Sequence, residues 1–380
     1  LIGASVRAAA YSARRAGIKT EAFDLYADLD LQAVSTTTKL DQSRGFQDLP
    51  VALGRHSGSS RLPVLWTGPL ENEPAILEHL AAGYELLGTD PVRLRRARDP
   101  LQLASVLQDA GIPALRVATD ARKLPTNGTW IRKPLASGGG RDIVRWTGQS
   151  PLQEPHYFQE AAIGTSLAAI FLASSRSTEL VDVTRQRLDA QGFAYRGSVG
   201  PWPVDTSVRE KLANMGTLLA ERFTLRGLFG IDFVLDHHTP WLVELNPRYT
   251  AAVEVLELAL GRSLLAEWFG PPDSQQGQIR GSHAPVVGKA ILVTRRSLTM
   301  PTIPEAWYRL DDAWGMPTIA DVSPEGVLIP AGGPVMTIFA AGSNPAECEQ
   351  RLRCASGKWW TSLRRAARGR AIAPAGTCPG

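Results

Sequence analysis

Apolar positions recur with two different periods along this chain, and the change between them divides it. Leu1-Ile2 runs into Gly3-Ala4-Ser5, and Val6 to Ala16 reads as an Ala-rich helix closed by Gly17. Thr20 to Leu25 then reads as a strand. The unit repeats as Leu62 to Trp66 (strand), the turn Thr67-Gly68-Pro69, and a helix from Pro74 to Leu87 closed by Gly88. Strands alternating with helices predict a parallel, Rossmann-like α/β domain over residues 1–95. Asp99 to Ala110 follows as an amphipathic helix carrying Leu101, Leu103, Val106 and Leu107.

Beyond Ile112 the strands come in neighbouring pairs, as in an antiparallel sheet. Trp130 to Lys133 precedes Asp142 to Trp146; then come Tyr157 to Glu160, Leu167 to Leu172, and Phe229 to Leu235 with Trp241 to Leu245. One helix, Ser207 to Phe223, interrupts them. This is the pattern of an α+β domain, assigned to 96–275. The run from Gly270-Pro271-Pro272 to Ser282 reads as a linker. Residues 284–354 form a small β-rich domain ending in a helix from Pro345 to Arg353. The Arg-, Gly- and Pro-rich stretch 355–380 is expected to be a disordered basic tail.

The chain has 380 residues, a net charge of +4 and a hydrophobic content of 44%, which excludes disorder as its main state. No run of about 18 apolar residues is present, so no membrane span is expected. The start lacks the basic flank and apolar core of a signal peptide, and the expectation is a cytoplasmic chain that begins late in a first strand. Three cysteines near the C-terminus are too few for a disulfide framework. His56-Ser57-Gly58 lacks the nucleophile elbow of a serine hydrolase, and Gly3-Ala4-Ser5 is not followed by a dinucleotide fingerprint. The basic residues are scattered, which argues against a nucleic-acid partner. Only seven of the 41 basic residues are lysine, so a lysine beside glycines draws notice.

Three segments carry candidate chemistry. In Arg132-Lys133-Pro134-Leu135-Ala136-Ser137-Gly138-Gly139-Gly140 a strand delivers a lysine and then a glycine loop. Glycines let backbone N–H groups close on an anion, and the lysine adds a point charge suited to phosphate. The plain alternative is a flexible hairpin loop. The segment Gly230 to Arg248 reads as a hairpin whose turn centres on His238. Phe233 then faces Val243, Leu235 faces Trp241 and Ile231 faces Leu245, giving one apolar face. The other face sets Asp232 opposite Glu244, with Asn246 beyond. Opposed carboxylates at about 5 Å repel by roughly 3 kcal/mol at an effective dielectric near 20, so a cation is called for. Two carboxylates and an amide carbonyl suit Mg²⁺, with Mn²⁺ as an alternative. The third segment, Phe158-Gln159-Glu160-Ala161-Ala162-Ile163-Gly164, is a strand leaving into a hinge that can offer backbone groups to an adenine edge, with Glu160 near a base or ribose.

In this order and spacing the three segments resemble the ATP-grasp superfamily over roughly residues 96–270. The resemblance implies an ATP-grasp fold with an N-terminal pre-ATP-grasp domain and a small C-terminal domain. It implies ATP held by Lys133, Ser137, Gly138, Gly139, Gly140, Gln159, Glu160 and Ile163. It also implies magnesium on Asp232, Glu244 and Asn246, with Lys133 and Arg248 acting in catalysis. Gly3-Ala4-Ser5-Val6-Arg7 and Trp66 to Asn72 look like the predicted ATP-dependent carboligases related to biotin carboxylase. That group is similar to the tyramine–glutamate ligases of methanofuran synthesis. The implied reaction joins a small-molecule carboxylate to an amine through an acyl phosphate, in a protein that could be a homodimer, with C1-carrier cofactor biosynthesis as a pathway hint. Carboxyphosphate chemistry on bicarbonate and a non-catalytic ATP-binding regulator are the competing readings. The hinge continues Gly164-Thr165-Ser166 where many relatives carry an acid after the glycine.

Overall fold

The structure is a computed structural model and describes residues 1–54, 62–148, 155–269 and 286–366. The linker expected at 270–282, and His56 to Gly58, lie outside the described residues. By packing, the chain forms two units, each built from segments distant in sequence. The first comprises 1–52, 196–202 and 251–380, the second 53–195 and 203–250.

In the first unit, Ile2–Gly3, Glu21–Asp24 and Thr36–Lys39 form a parallel sheet, with the helix Arg7–Arg15 between its first two strands. The C-terminal part is antiparallel: Val286–Val293 pairs with Pro334–Gly342, which pairs with Ile319–Ala320. The helix expected to stop at Arg353 runs from Pro345 to Ala366. Cys348, Leu352, Trp359 and Leu363 share one helical face and pack with Leu292 and Ile338. That continued apolar stripe makes 355–366 helix rather than tail; residues 367–380 lie outside the described ones. Cys348 is buried on the inner side of this helix.

Arg7 ties this unit together. Its guanidinium, 2% exposed, holds Glu254 in a two-pronged pair and reaches Asp321 at 2.8 Å; Lys289 also reaches Glu254, at 3.0 Å. Burial works against the Glu254 carboxylate, but Arg7 and Lys289 outweigh it and hold the group at about 2.

The second unit has two antiparallel sheets. In one, Thr165–Ala173 lies between Thr178–Leu188 and Gly227–Asp236, which pairs onward with Thr239–Asn246. Thr165–Ala173 reads as a nearly unbroken apolar run because it is a central strand, covered rather than half-solvated. The helix Thr206–Phe223 contacts this sheet, its buried side running through Val208, Leu212, Met215, Leu219 and Phe223. It ends at Thr224 in the left-handed region. In the other sheet, His156–Glu160 is flanked by Val117–Ala118 and Trp130–Pro134, with Val144–Arg145 at the edge. Trp130, Trp146 and Phe158 form its small core.

One expected element changes type. The helix begun at Pro74 ends at Gly83, and Glu85–Leu87 is a strand parallel to Pro63–Leu65. Local propensity favours helix across both stretches; pairing with an existing strand decides the second. Two short helices follow, each started by an aspartate whose side chain accepts two backbone N–H groups: Asp90 before Pro91–Ala97 and Asp99 before Pro100–Asp109.

Candidate active site

A cleft in the second unit lies among the helix Pro100–Asp109, the strands Trp130–Pro134 and His156–Glu160, and the strand Thr239–Asn246. The cleft is partly open to solvent. Lys133, Ser137, Gly138, Gly140, Gln159 and Glu244 all line it. Leu103 and Leu107, on the buried face of the capped helix, supply apolar wall.

Lys133 is 4% exposed and directed at the opposite sheet. Its ammonium donates to Val243 O at 3.1 Å and to Gln159 Oε1 at 3.3 Å. Burial would lower its pKa, but Tyr157, Glu244 and Asp232 outweigh that and hold it above the ordinary lysine value. The lysine therefore stays charged at neutral pH.

Val243 accepts because the hairpin ladder breaks there. Ile231↔Leu245 and Asp232↔Glu244 pair as the sequence predicts, and then a bulge intervenes. Phe233 faces Leu242 rather than Val243, and Leu235 faces Pro240 rather than Trp241. Those two expected pairs are incorrect. A one-residue slip moves side chains to the other face, and here it places Leu242 with Leu245 in the core. The extra residue, Val243, turns its carbonyl toward Lys133 and toward Gln159 Nε2, 3.3 Å away. His237, at the turn tip, is 92% exposed, and His238 pairs with Asp205 there.

Asp232 and Glu244 are direct cross-strand partners. Burial, and then the Glu244 charge, push the Asp232 carboxyl up to about 7; Gln186, Arg248 and Lys133 pull it down only in part. Asn246 Nδ2 donates to Asp232 Oδ2 at 3.3 Å, while Asn246 Oδ1 accepts from Arg248 Nη2 at 3.1 Å. The acid pair is thus short of positive charge and offers carboxylate oxygens, with the Asn246 oxygen held by Arg248. These residues fit Mg²⁺, which favours carboxylate and carbonyl oxygens.

The glycine loop is docked rather than free. Gly139 O accepts from Tyr195 N at 2.9 Å, and Ser137 O accepts from Asn72 Nδ2 at 3.3 Å. Gly140 has φ +72°, and a Cβ there would lie 1.9 Å from Phe193 O. Only glycine fits that turn. Glu160 and Ile163 stand outside the cleft wall. Glu160 is paired with Arg116 at 2.8 Å, and Ile163 is 84% exposed in the hinge.

Sequence reasoning gave no role to Glu71, Arg98 or Gln186. Glu71 is buried and paired with Arg248, its Oε1 2.8 Å from Nε. It lies 177 residues from Arg248 in sequence, and no local pattern announces such a contact. Burial works against this carboxylate too, but Arg248 and Arg98 outweigh it and hold its pKa below the usual range. Of the two segments that resemble the carboligases, Gly3 to Arg7 and Trp66 to Asn72, the second reaches Arg248 through Glu71. Arg7 is instead engaged by carboxylates of its own unit.

Residues 97–252 match the family model of an ATP-grasp domain. An uncharacterized protein of Methanocaldococcus jannaschii is 25% identical over 142 residues, 36% of this chain, and the match spans about a third (35%) of that relative's length. Among solved structures, biotin carboxylase of Campylobacter jejuni, crystallised as a beta-gamma-ATP complex, aligns over 93% of this chain and 90% of its own with a TM-score of 0.68 and 14% identity. The L-amino acid ligase of Bacillus licheniformis aligns over 94% and 96% with a TM-score of 0.65 and 16% identity. At such identities these structures speak for the fold. Among the described residues no helix is long and apolar enough to cross a membrane.

Proposed function

We propose that this chain, whose residues 97–252 match an ATP-grasp domain, is an ATP-dependent ligase that joins a small-molecule carboxylate to an amine with release of ADP and phosphate. One observation carries this reading: an opposed acid pair, a buried charged lysine and a docked glycine loop converge within one unit.

In the first step a carboxylate oxygen of the substrate bonds to the γ-phosphorus of ATP. The bond from that phosphorus to the β,γ-bridging oxygen breaks, giving an acyl phosphate and ADP. In the second, an amine nitrogen bonds to the acyl carbon, the carbon–oxygen bond to phosphate breaks, and the amine proton passes to solvent. Phosphoryl transfer asks mainly for positioning and charge neutralisation. Lys133 offsets phosphate charge from within the cleft wall. Ser137 and the amides of Gly138, Gly139 and Gly140 close over the phosphates and keep water from the acyl phosphate. Gln159 stands nearest the base, with Glu160 and Ile163 in the hinge outside the cleft wall. Arg248 orients the carboxylate, a fork geometry that guanidinium matches. Asp232, Glu244 and Asn246 would hold Mg²⁺, which when bound supplies charge neutralisation for the phosphates.

The test is ADP release from Mg·ATP across a panel of amino acids, other carboxylates and amines. Release that needs both a carboxylate and an amine supports the reading. Release with bicarbonate alone moves the protein to carboxyphosphate chemistry, and nucleotide binding with no release under any condition makes it a regulator. The narrower placement in methanofuran- or tetrahydromethanopterin-type cofactor synthesis is tested by adding tyramine with glutamate to the same panel.

A further inference from the structure

Arg248 does not stand alone. Its Nε donates to Glu71 Oε1 at 2.8 Å, and its Nη2 lies 2.7 Å from the same oxygen. Arg98 Nη1 is 3.1 Å from that oxygen too, within ion-pair range but outside hydrogen-bond geometry. Arg98 Nη2 donates to Asn72 Oδ1 at 3.0 Å, and Asn72 Nδ2 donates to Ser137 O on the glycine loop at 3.3 Å. One connected path therefore runs Arg248–Glu71–Arg98–Asn72–Ser137, inside a single unit.

Two features mark this path as more than packing. Glu71 Oε2 is buried with no hydrogen-bond partner. Leaving a buried carboxylate oxygen unsatisfied is costly, and a structural carboxylate would use both oxygens. Glu71 instead concentrates two guanidinium groups on one atom. Gly68 also has no side chain to spare: a Cβ there would lie 2.9 Å from Arg248 Nη2. Backbone and carboxylate together restrict where the Arg248 guanidinium can lie.

We propose that Glu71 is a positioning residue for Arg248, and that Arg98 and Asn72 couple this arrangement to the docking of the glycine loop. The arginine at the acceptor end and the loop at the phosphate end are then set together. The proposal rests on the ligase reading for what Arg248 does, but the coupling itself is measurable without turnover.

The experiment is amide hydrogen exchange of the full chain over residues 135–141, with and without Mg·AMP-PNP, in wild type, Glu71→Gln, Asn72→Ala and the double variant. Glu71 does not touch the loop, yet Glu71→Gln should speed loop exchange about tenfold, as Asn72→Ala does. The double variant should add little, because linked residues are non-additive. In the amino-acid panel, each single variant should lower kcat for ADP release about tenfold while the KM for ATP stays within about threefold. A merely structural role would lower thermal stability and leave that split unmoved. Loop exchange in Glu71→Gln equal to wild type, or fully additive effects, overturns the coupling. If Glu71→Gln does not fold, Arg98→Lys keeps a charge beside Glu71 and removes the arm to Asn72; unchanged loop exchange there overturns it equally. A wild-type chain that binds no Mg·AMP-PNP refutes the ligase reading and leaves the exchange comparison intact.

Discussion

Asp232→Asn gives the most direct test of the acid pair. Asparagine keeps the shape and an acceptor oxygen for Asn246 Nδ2, and removes only the charge. The Asp232 carboxyl is raised from 3.8 to about 7 by burial and by Glu244, so its ionised form is the disfavoured one in the folded chain. A raised carboxylate pKa means that the folded state holds the proton more tightly than the unfolded state. The penalty is absent below about pH 4, grows as pH rises toward 7, and is complete above it. The rise from 3.8 to about 7 bounds it at about 4 kcal/mol, and repulsion across the ladder at about 5 Å gives roughly 3 kcal/mol. Water reaching these partly exposed groups makes both figures upper limits. Without divalent ions at about pH 8, Asp232→Asn should therefore melt about 2–6 °C above wild type, and at about pH 4 the two should coincide. With Mg·ATP at about a thousandfold excess over Kd the order should reverse, because wild type gains about 4.1 kcal/mol, enough to offset the penalty, and the variant gains little. Differential scanning fluorimetry at two pH values, with EDTA or with Mg·ATP, reads all four conditions. A variant that is less stable than wild type in EDTA at pH 8, or an order that does not reverse, refutes the argument.

The other predictions are simpler. Lys133→Met should weaken Mg·AMP-PNP binding by about a hundredfold by calorimetry, since it removes the buried charge that meets phosphate; unchanged affinity would place the phosphates elsewhere. Gly140→Ala forces a Cβ to within 1.9 Å of Phe193 O, so the loop should undock and ADP release should fall at least about tenfold, with the far-UV spectrum unchanged. Gly68→Ala crowds Arg248 and should lower kcat with little change in the KM for ATP. Glu254, held near 2 in the folded chain, contributes about 3 kcal/mol of stability above pH 4.5 that is lost as pH falls toward 2. Asp30 beside Arg7 is pushed up to about 7 and has the opposite sign, so the readout is wild type minus Glu254→Gln in urea melts at pH 3 and pH 6. A pH-independent difference contradicts the assignment.

Legibility followed the range of the interactions. Asp232 faces Glu244 because alternation along two adjacent strands is a short-range fact, written in the residues themselves. The bulge at Val243 was not legible: Trp241, Leu242 and Val243 are all apolar, and only the requirement that Leu242 reach the core selects the slip. Glu85–Leu87 reads as helix in the sequence because its partner strand lies 22 residues upstream. The helix Pro345–Ala366 outran its expected end because charged residues hid Trp359 and Leu363 on its inner side. Glu71, Arg98 and Asn72 are polar residues in turns and helix ends, and their meeting with Arg248 and Ser137 is a property of the folded chain alone.

The carbonyl that Val243 turns out of its ladder has an effect on the order of events at Lys133. Because that peptide oxygen and Gln159 already grip the ammonium, the cost of stripping water from the charge falls on folding, and an incoming anion meets a cation that is dry and aimed. Such a group needs only a small swing from one oxygen to another. A single irregular residue in a hairpin thus sets how little the lysine would have to rearrange for the phosphate proposed to bind there.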